Sequence, residues 1–312
     1  MRDALKETAS PVQNEAAPPA SAGQAVWKRF RRHPGAIGGS VVLGLLILLA
    51  LLAPLSPYSA TASNTPEKYQ PPSWSHPMGT DAMGRDLLTR VLYGGRISLM
   101  VGLLVVCISL AIGVPIGAIA GYYGGWLDNV LMRLTDAFLS LPSFLVLILL
   151  SAILRETNAP LLERNSVFTI SLVIGVFGWM TFARLVRAAF LTLRELDFVS
   201  AVRALGGSDR WIIIRHILPN AIGPIIVEAT LDLGYAIIQE SGLSFLGFGI
   251  QQPTPSWGNL LDNAQEHFTK YPWLGIFPGL MIFLAIISVN YIGDGLRDAY
   301  DPYKMLDLVG ER

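Results

Sequence analysis

Charge is scarce in this sequence of 312 residues: 15 % are Asp, Glu, Lys or Arg against 52 % hydrophobic, and mean hydropathy is +0.48. That balance excludes an ordinary soluble domain. Cysteine is almost absent. The single Cys107 forbids an intramolecular disulfide, and among Val, Ile and Ser it reads as packing rather than chemistry. Lysine is nearly as rare: none of the five, at positions 6, 28, 68, 270 and 304, completes a G-x-x-x-x-G-K-[ST] phosphate cradle. His33, His76, His216 and His267 show no metal-ligand spacing, and no G-x-S-x-G elbow occurs. The chain is therefore not expected to be an enzyme by itself. Work against a gradient would draw on a partner or on coupled ions.

Long apolar runs are what the chain has in quantity. Six stretches, 36–55, 97–120, 131–154, 167–188, 220–241 and 273–293, are long enough to cross a hydrocarbon core of about 30 Å, which takes roughly 20 helical residues. A further uncharged run, 241–261, contains "QQPTPSWGN"; two prolines and several amides make it a surface or re-entrant segment rather than a seventh span. The first run follows "KRFRRH" and could be a signal peptide, but it exceeds an ordinary signal core and reads as a retained anchor. Residues 1–25, rich in Ala, Pro, Ser and Glu, are expected to form a disordered cytoplasmic tail.

Orientation follows from the basic residues. With the N-terminus inside, only seven of the 23 lysines and arginines lie outside: Lys68, Arg85, Arg90, Arg96, Arg155, Arg164 and Lys270. Both termini are then cytoplasmic. The expected layout is a first span with its outer loop over 26–96, a core over 97–305 and a short cytoplasmic tail, 306–312. Arg133 and Asp136 are expected to pair at the start of the third span, Pro142 to kink it, and Trp257 and Trp273 to sit at the outer interface. The outer loops, 56–96 and 242–272, either receive a partner or seal the outer mouth.

One inner loop, 195–219, is unlike a passive connection. "ELDFVSAVRAL" favours a helix, Gly206 and Gly207 end it, and Ser208 or Asp209 can cap a second short helix, "RWIIIRHIL". Pro219 is expected to stop that helix near Leu218. A basic loop on anionic lipid and a DNA-binding helix–turn–helix are rival readings, though the latter would be pinned against the bilayer. A lever on which a cytoplasmic protein pushes explains the tight punctuation. Acids within the fifth span are the other anomaly. Glu228, Asp232 and Glu240, spaced by four and eight, suggest a polar stripe along a translocation path, or else interhelical bonds.

The same loop resembles the E-A-A-x-x-x-G coupling motif of ABC-importer permeases, on Ser200, Ala201, Val202 and Gly206, with Leu218 and Pro219 closing it. Ser200 stands where the motif has glutamate, and Asp197, one turn earlier on the same face, could supply the carboxylate. "GTDAMGRDLLTRVLYGGRISL" (79–99), "SGLSFLGFGIQQPTPSWGNLL" (241–261) and "GDGLRDAYDP" (293–302) resemble further signatures of the C-type permeases of dipeptide and oligopeptide importers, the DppC/OppC kind. The resemblance covers roughly 25–305. It implies an all-α membrane protein with the type I ABC-importer permease fold, in a bacterial or archaeal cytoplasmic membrane. It implies a DppB/OppB-like second permease, two DppD/DppF-like ATPases that hold the ATP and Mg, an extracytoplasmic peptide-binding protein, and no nucleic acid or cofactor on this chain. ATPase coupling would fall to Asp197, Ser200, Ala201, Arg203, Gly206, Gly207, Asp209, Arg210, Leu218 and Pro219. Import of nickel or another small solute is the same-mechanism alternative. An ion-coupled carrier using Glu228 and Asp232, or a membrane scaffold or sensor, would be a different class.

Overall fold

The computed structural model describes residues 22–156 and 166–301, and the described part is helical throughout apart from loops and one isolated bridge. Most of the expected N-terminal tail and all of 306–312 lie outside the described residues. Positions 22–25, assigned to that tail, instead begin helix α1, Ala22–Phe30. Helix α2, Pro34–Leu52, starts where His33 Nδ1 accepts the Ala36 N–H at 3.0 Å and Pro34 occupies the first turn, where its missing donor is harmless. Helix α3, Leu87–Tyr123, is 37 residues long, about 55 Å at 1.5 Å per residue, so it overshoots a bilayer core. It begins ten residues before the expected span, and the boundary placed at 96/97 falls inside it.

The third crossing is broken. Helices α4, Gly125–Leu139, and α5, Ser143–Glu156, meet at 82° across a break that contains Pro142. A proline at that point removes a backbone donor and restricts its predecessor, so the helix ends rather than bends. The expected Arg133–Asp136 pair does not form; Asp136 pairs with Arg184, 3.3 Å away on the next span. Helix α6, Ser166–Leu193, leads to the short α7, Asp197–Ala204. Helix α8, Asp209–Phe245, then runs as one 37-residue unit; α9, Trp257–Gln265, and α10, Trp273–Tyr300, complete the chain. Among the described residues five helices are long and apolar enough to span, six with the α4–α5 pair.

The tightest seam joins α3 to α6. Gly113, Gly117 and Gly121 recur every fourth residue and lie on one face of α3. A Cβ at Gly113 would stand 2.5 Å from the Trp179 carbonyl, one at Gly121 2.6 Å from Phe190 Cβ, and one at Gly117 would collide with the Ala183 carbonyl. In lipid no hydrophobic force draws helices together, so close backbone approach through small residues does it. Helix α10 packs against α2 and α8, which closes the bundle on the other side.

Candidate functional site

Three regions of the bundle hold the polar and exposed groups that chemistry or docking would need. The first is the knuckle between α6 and α8. Gly206 has φ of +83°, Gly207 N–H reaches the Val202 carbonyl at 3.1 Å, and Gly206 N–H reaches that of Arg203 at 3.0 Å. These two bonds close α7 in a left-handed cap that glycine adopts without steric penalty. At the tip Leu205 is 89 % exposed, and Asp197, Ser200, Ala201, Arg203, Ala204 and Arg210 are exposed around it. The inner face is apolar: Val199, Ile212 and Ile217 are buried with Val186, Phe190 and Tyr122. Ser208 makes no side-chain cap bond. Asp209 instead accepts a 2.7 Å bond from the Tyr122 hydroxyl, at the far end of α3. The Arg203 guanidinium lies 5.9 Å from the Tyr122 ring centroid, and the neighbouring Tyr122 side chain raises its pKa above the ordinary value. Arg194 donates to the carbonyls of Gly121 and Tyr122 at 2.8 and 3.2 Å.

The second short helix of the knuckle does not stop at Leu218, contrary to expectation. Residues Ile212–Ile217 wind as π-helix, and Leu218 N–H reaches back five residues to Ile213. The wider turn leaves room for Pro219 at the start of the following α-helical stretch, so α8 continues unbroken. The knuckle's second helix and the fifth span are one rod, with α7 joined to it at the glycine turn.

The second region lies further along that rod. Glu228 and Asp232 line a cavity of about 310 Å³ with Thr181, Leu231, Tyr235, Ile286 and Asn290. Asp232 also faces a smaller cavity of about 130 Å³ toward α4 and α6, near Gly178 and Gln239. Its Oδ2 is enclosed and has no hydrogen-bond partner among the described residues. Glu240 is not part of this group. It is 0 % exposed and accepts hydroxyl bonds from Ser98 at 2.9 Å and Ser244 at 2.7 Å.

The third region is a cap over the start of α3, built from two of the stretches that resemble importer signatures, 79–99 and 241–261. Asp81 accepts from the N–H groups of Met83 and Arg85 at 2.8 and 3.0 Å and from Arg85 Nε at 2.7 Å. Asp86 caps α3 by accepting from Thr89 N–H and Oγ1, both at 2.7 Å, and contacts His76 Nδ1 at 2.9 Å. Arg90, fully buried, reaches Asp81 at 3.5 Å and the Ala60 carbonyl at 3.3 Å. The 241–261 stretch folds onto this motif. Trp257, expected at the interface, is 2 % exposed, and its indole donates to the Val91 carbonyl at 3.0 Å while its N–H meets Ser98 Oγ at 3.2 Å. A ring that size against Gly94 and Gly95 packs better inside than in water, and α9 is therefore tucked in rather than lying on the surface.

Tyr122, Arg194, Leu205 and Asn290 escaped the sequence reading. Leu205 alone carried a signal, a large apolar side chain next to a glycine pair where water should be; the others acquire meaning only from partners more than 50 positions away.

Residues 113–304 match the family described as "Binding-protein-dependent transport system inner membrane component", and residues 21–72 match the "N-terminal TM domain of oligopeptide transport permease C". The chain is 42 % identical over 278 residues to the dipeptide transport system permease protein DppC of Alkalihalophilus pseudofirmus, covering 88 % of each. It is 41 % identical to the oligopeptide transport system permease protein OppC of Mycobacterium tuberculosis, covering 89 % of this chain and 93 % of that one. Among solved structures, a chain of the MetNI methionine ABC transporter in inward-facing conformations superposes with a TM-score of 0.52 at 18 % identity. The match covers 67 % of this chain and 96 % of that one, and what the two share is the fold.

Proposed function

The chain belongs to the family of inner-membrane components of binding-protein-dependent transport systems, and we propose that it is the C-type permease of an ATP-driven importer of dipeptides or oligopeptides. The observation that carries the reading is the knuckle: an exposed tip around Leu205, closed by a glycine cap, tied to α3 through Tyr122 and continuous with α8. A loop that only joined two spans would need none of these. An ATPase docked there would move α8 as a unit, and with it Glu228 and Asp232, which we assign to the translocation path. Asp197 and Ser200 then face the ATPase, with Asp197 as the carboxylate. Asp209, bonded to Tyr122, braces the knuckle from within.

With the α4–α5 pair counted as one crossing and the knuckle inside, both termini would lie in the cytoplasm, and the basic-residue asymmetry supports that orientation. On this reading the chain hydrolyses nothing; ATP and Mg bind two partner ATPases, a second distinct permease completes the pathway, and a binding protein delivers peptide from outside. The peptide assignment draws on the names of the two relatives. Purification of the intact complex and native mass spectrometry test the whole reading. Two ATPases and one different permease are expected with this chain, and labelled dipeptide uptake should require ATP. Uptake by this chain alone under an ion gradient would contradict it.

A further inference from the structure

We propose that Lys28, Arg31 and Arg32, on α1 and the turn leaving it, form a docking surface for the headgroups of anionic phospholipids. The twelve residues from Ala22 to His33 contain four Lys or Arg and no acid. One face of α1 is already used: Phe30 is buried, and with Val26 it packs on Ala36, Ile292, Leu296 and Ala299. That contact fixes which way the helix faces. Trp27, Lys28, Arg31 and Arg32 are left exposed on the other side.

The acids at the end of α10 do not cancel this strip. Asp298 lies 3.8 Å from His33 and lines one pocket with Arg29, His33 and Arg32, and the Asp301 carbonyl accepts from Arg29 at 3.2 Å; among the described residues neither acid forms an ion pair with Lys28, Arg31 or Arg32. Trp27 stacks on Phe30 at 6.0 Å and carries Arg31 over its ring at 5.5 Å, an indole and a cation arranged as at a membrane interface.

The occupant follows from what adjoins the strip. Pro34 begins α2 two residues after Arg32, and Ile37, Val41, Leu45, Leu48 and Leu52 are exposed along one face of that span. Acyl chains cover such a face, which brings phosphates level with the basic turn. Each cation held near an anionic surface adds to the attraction. The docking has a mechanical consequence: α1 holds the end of α10, where Tyr300 abuts Gly223 of α8, just beyond the π turn. Lipid would thus hold the strut beside the knuckle. The inference stands on residues 22–52 and α10, independently of the transported solute.

The test uses the purified full-length chain in neutral detergent, given equimolar phosphatidylglycerol and phosphatidylcholine, with bound lipid counted by native mass spectrometry. The wild type should retain phosphatidylglycerol roughly tenfold in excess. That excess should fall toward unity in K28Q/R31Q/R32Q and persist in R31K/R32K. In the wild type alone it should shrink between 50 mM and 500 mM salt, as screening requires. An unchanged ratio in the neutral triple variant, or a salt-independent ratio in the wild type, would overturn the proposal. So would loss of co-purifying partner subunits when the triple variant is expressed together with them and held in phosphatidylcholine, which would make the strip a protein contact.

Discussion

At the scale of residues, two acids on one helix separate into two roles. Asp232 stands between two cavities with Oδ2 unpartnered, an arrangement open to an incoming donor such as a peptide ammonium. A charge-assisted hydrogen bond contributes about 1.5–3 kcal/mol, so Asp232→Asn should lower dipeptide uptake by roughly ten- to a hundredfold. Complex assembly and thermal midpoint should stay as in the wild type; undiminished uptake in proteoliposomes would remove Asp232 from the path. Glu240 behaves oppositely. It ties α8 to α3 through Ser98 and to its own last turn through Ser244. Glu240→Ala leaves the buried O–H donors of Ser98 and Ser244 without their acceptor, each costing about 1–3 kcal/mol, so the thermal midpoint in detergent should drop by several degrees. The sequence placed all three acids on one stripe because four and eight are near-multiples of a turn. At 3.6 residues per turn Glu240 lies about 80° from Asp232 and about 120° from Glu228, enough to bury it against a neighbouring helix. Spacing alone could not say which side of that drift faced the cavity.

At the scale of elements, backbone approach decides more than side-chain chemistry. The α3–α6 seam has no room at Gly117, where any Cβ meets the Ala183 carbonyl and stands 2.8 Å from Val186 Cβ. Overpacking in a close-fitted seam costs about 1–3 kcal/mol and more when backbone is the obstacle. Gly117→Leu should therefore split the pair, seen as lost expression or a lowered midpoint by fluorescence-detected size exclusion. Gly38, with nothing within 4 Å, is the control, and Gly38→Ala should be silent. The three glycines stand in the sequence at intervals of four, yet Gly35 and Gly39, and Gly275 and Gly279, share that spacing. Which interval is a seam depends on the partner helix. The π turn was equally hidden: Pro219 announces a stop by local rules, and only a continuous α8 reveals the wider winding that lets it pass. The outer signatures were legible as motifs while their physics was not. Asp81, Asp86, Arg85 and Arg90 form a charged cap that holds the start of α3, to which Trp257 and the serines around Glu240 are bolted.

At the scale of the whole molecule, six apolar runs outlined the bundle, and helices long and apolar enough to span lie where five of those runs do, the third run being the bent α4–α5 pair. Connections absent from the sequence explain how a force on the knuckle would travel. Asp232 is 23 residues beyond Asp209 on a single rod, roughly 35 Å at 1.5 Å per residue, and rigid elements with two arrangements are what couples distant sites. Push on such a rod at one end and the other must follow, provided the near end does not slip. Tyr122 prevents the slip: its hydroxyl holds Asp209 while Arg194 clamps the carbonyls of Gly121 and Tyr122. Tyr122→Phe keeps the ring in its apolar cluster and deletes only the bond, a loss of about 0.5–3 kcal/mol. With the brace loosened, ATP hydrolysis by the assembled transporter should persist while peptide imported per ATP falls several-fold, because part of each stroke is absorbed at the joint. Leu205→Asp, by contrast, should impair docking itself and lower hydrolysis and uptake together. Measuring both rates on the same proteoliposomes separates the two. An unchanged uptake-to-hydrolysis ratio in Tyr122→Phe would mean that the 2.7 Å bond to Asp209 carries no part of the stroke.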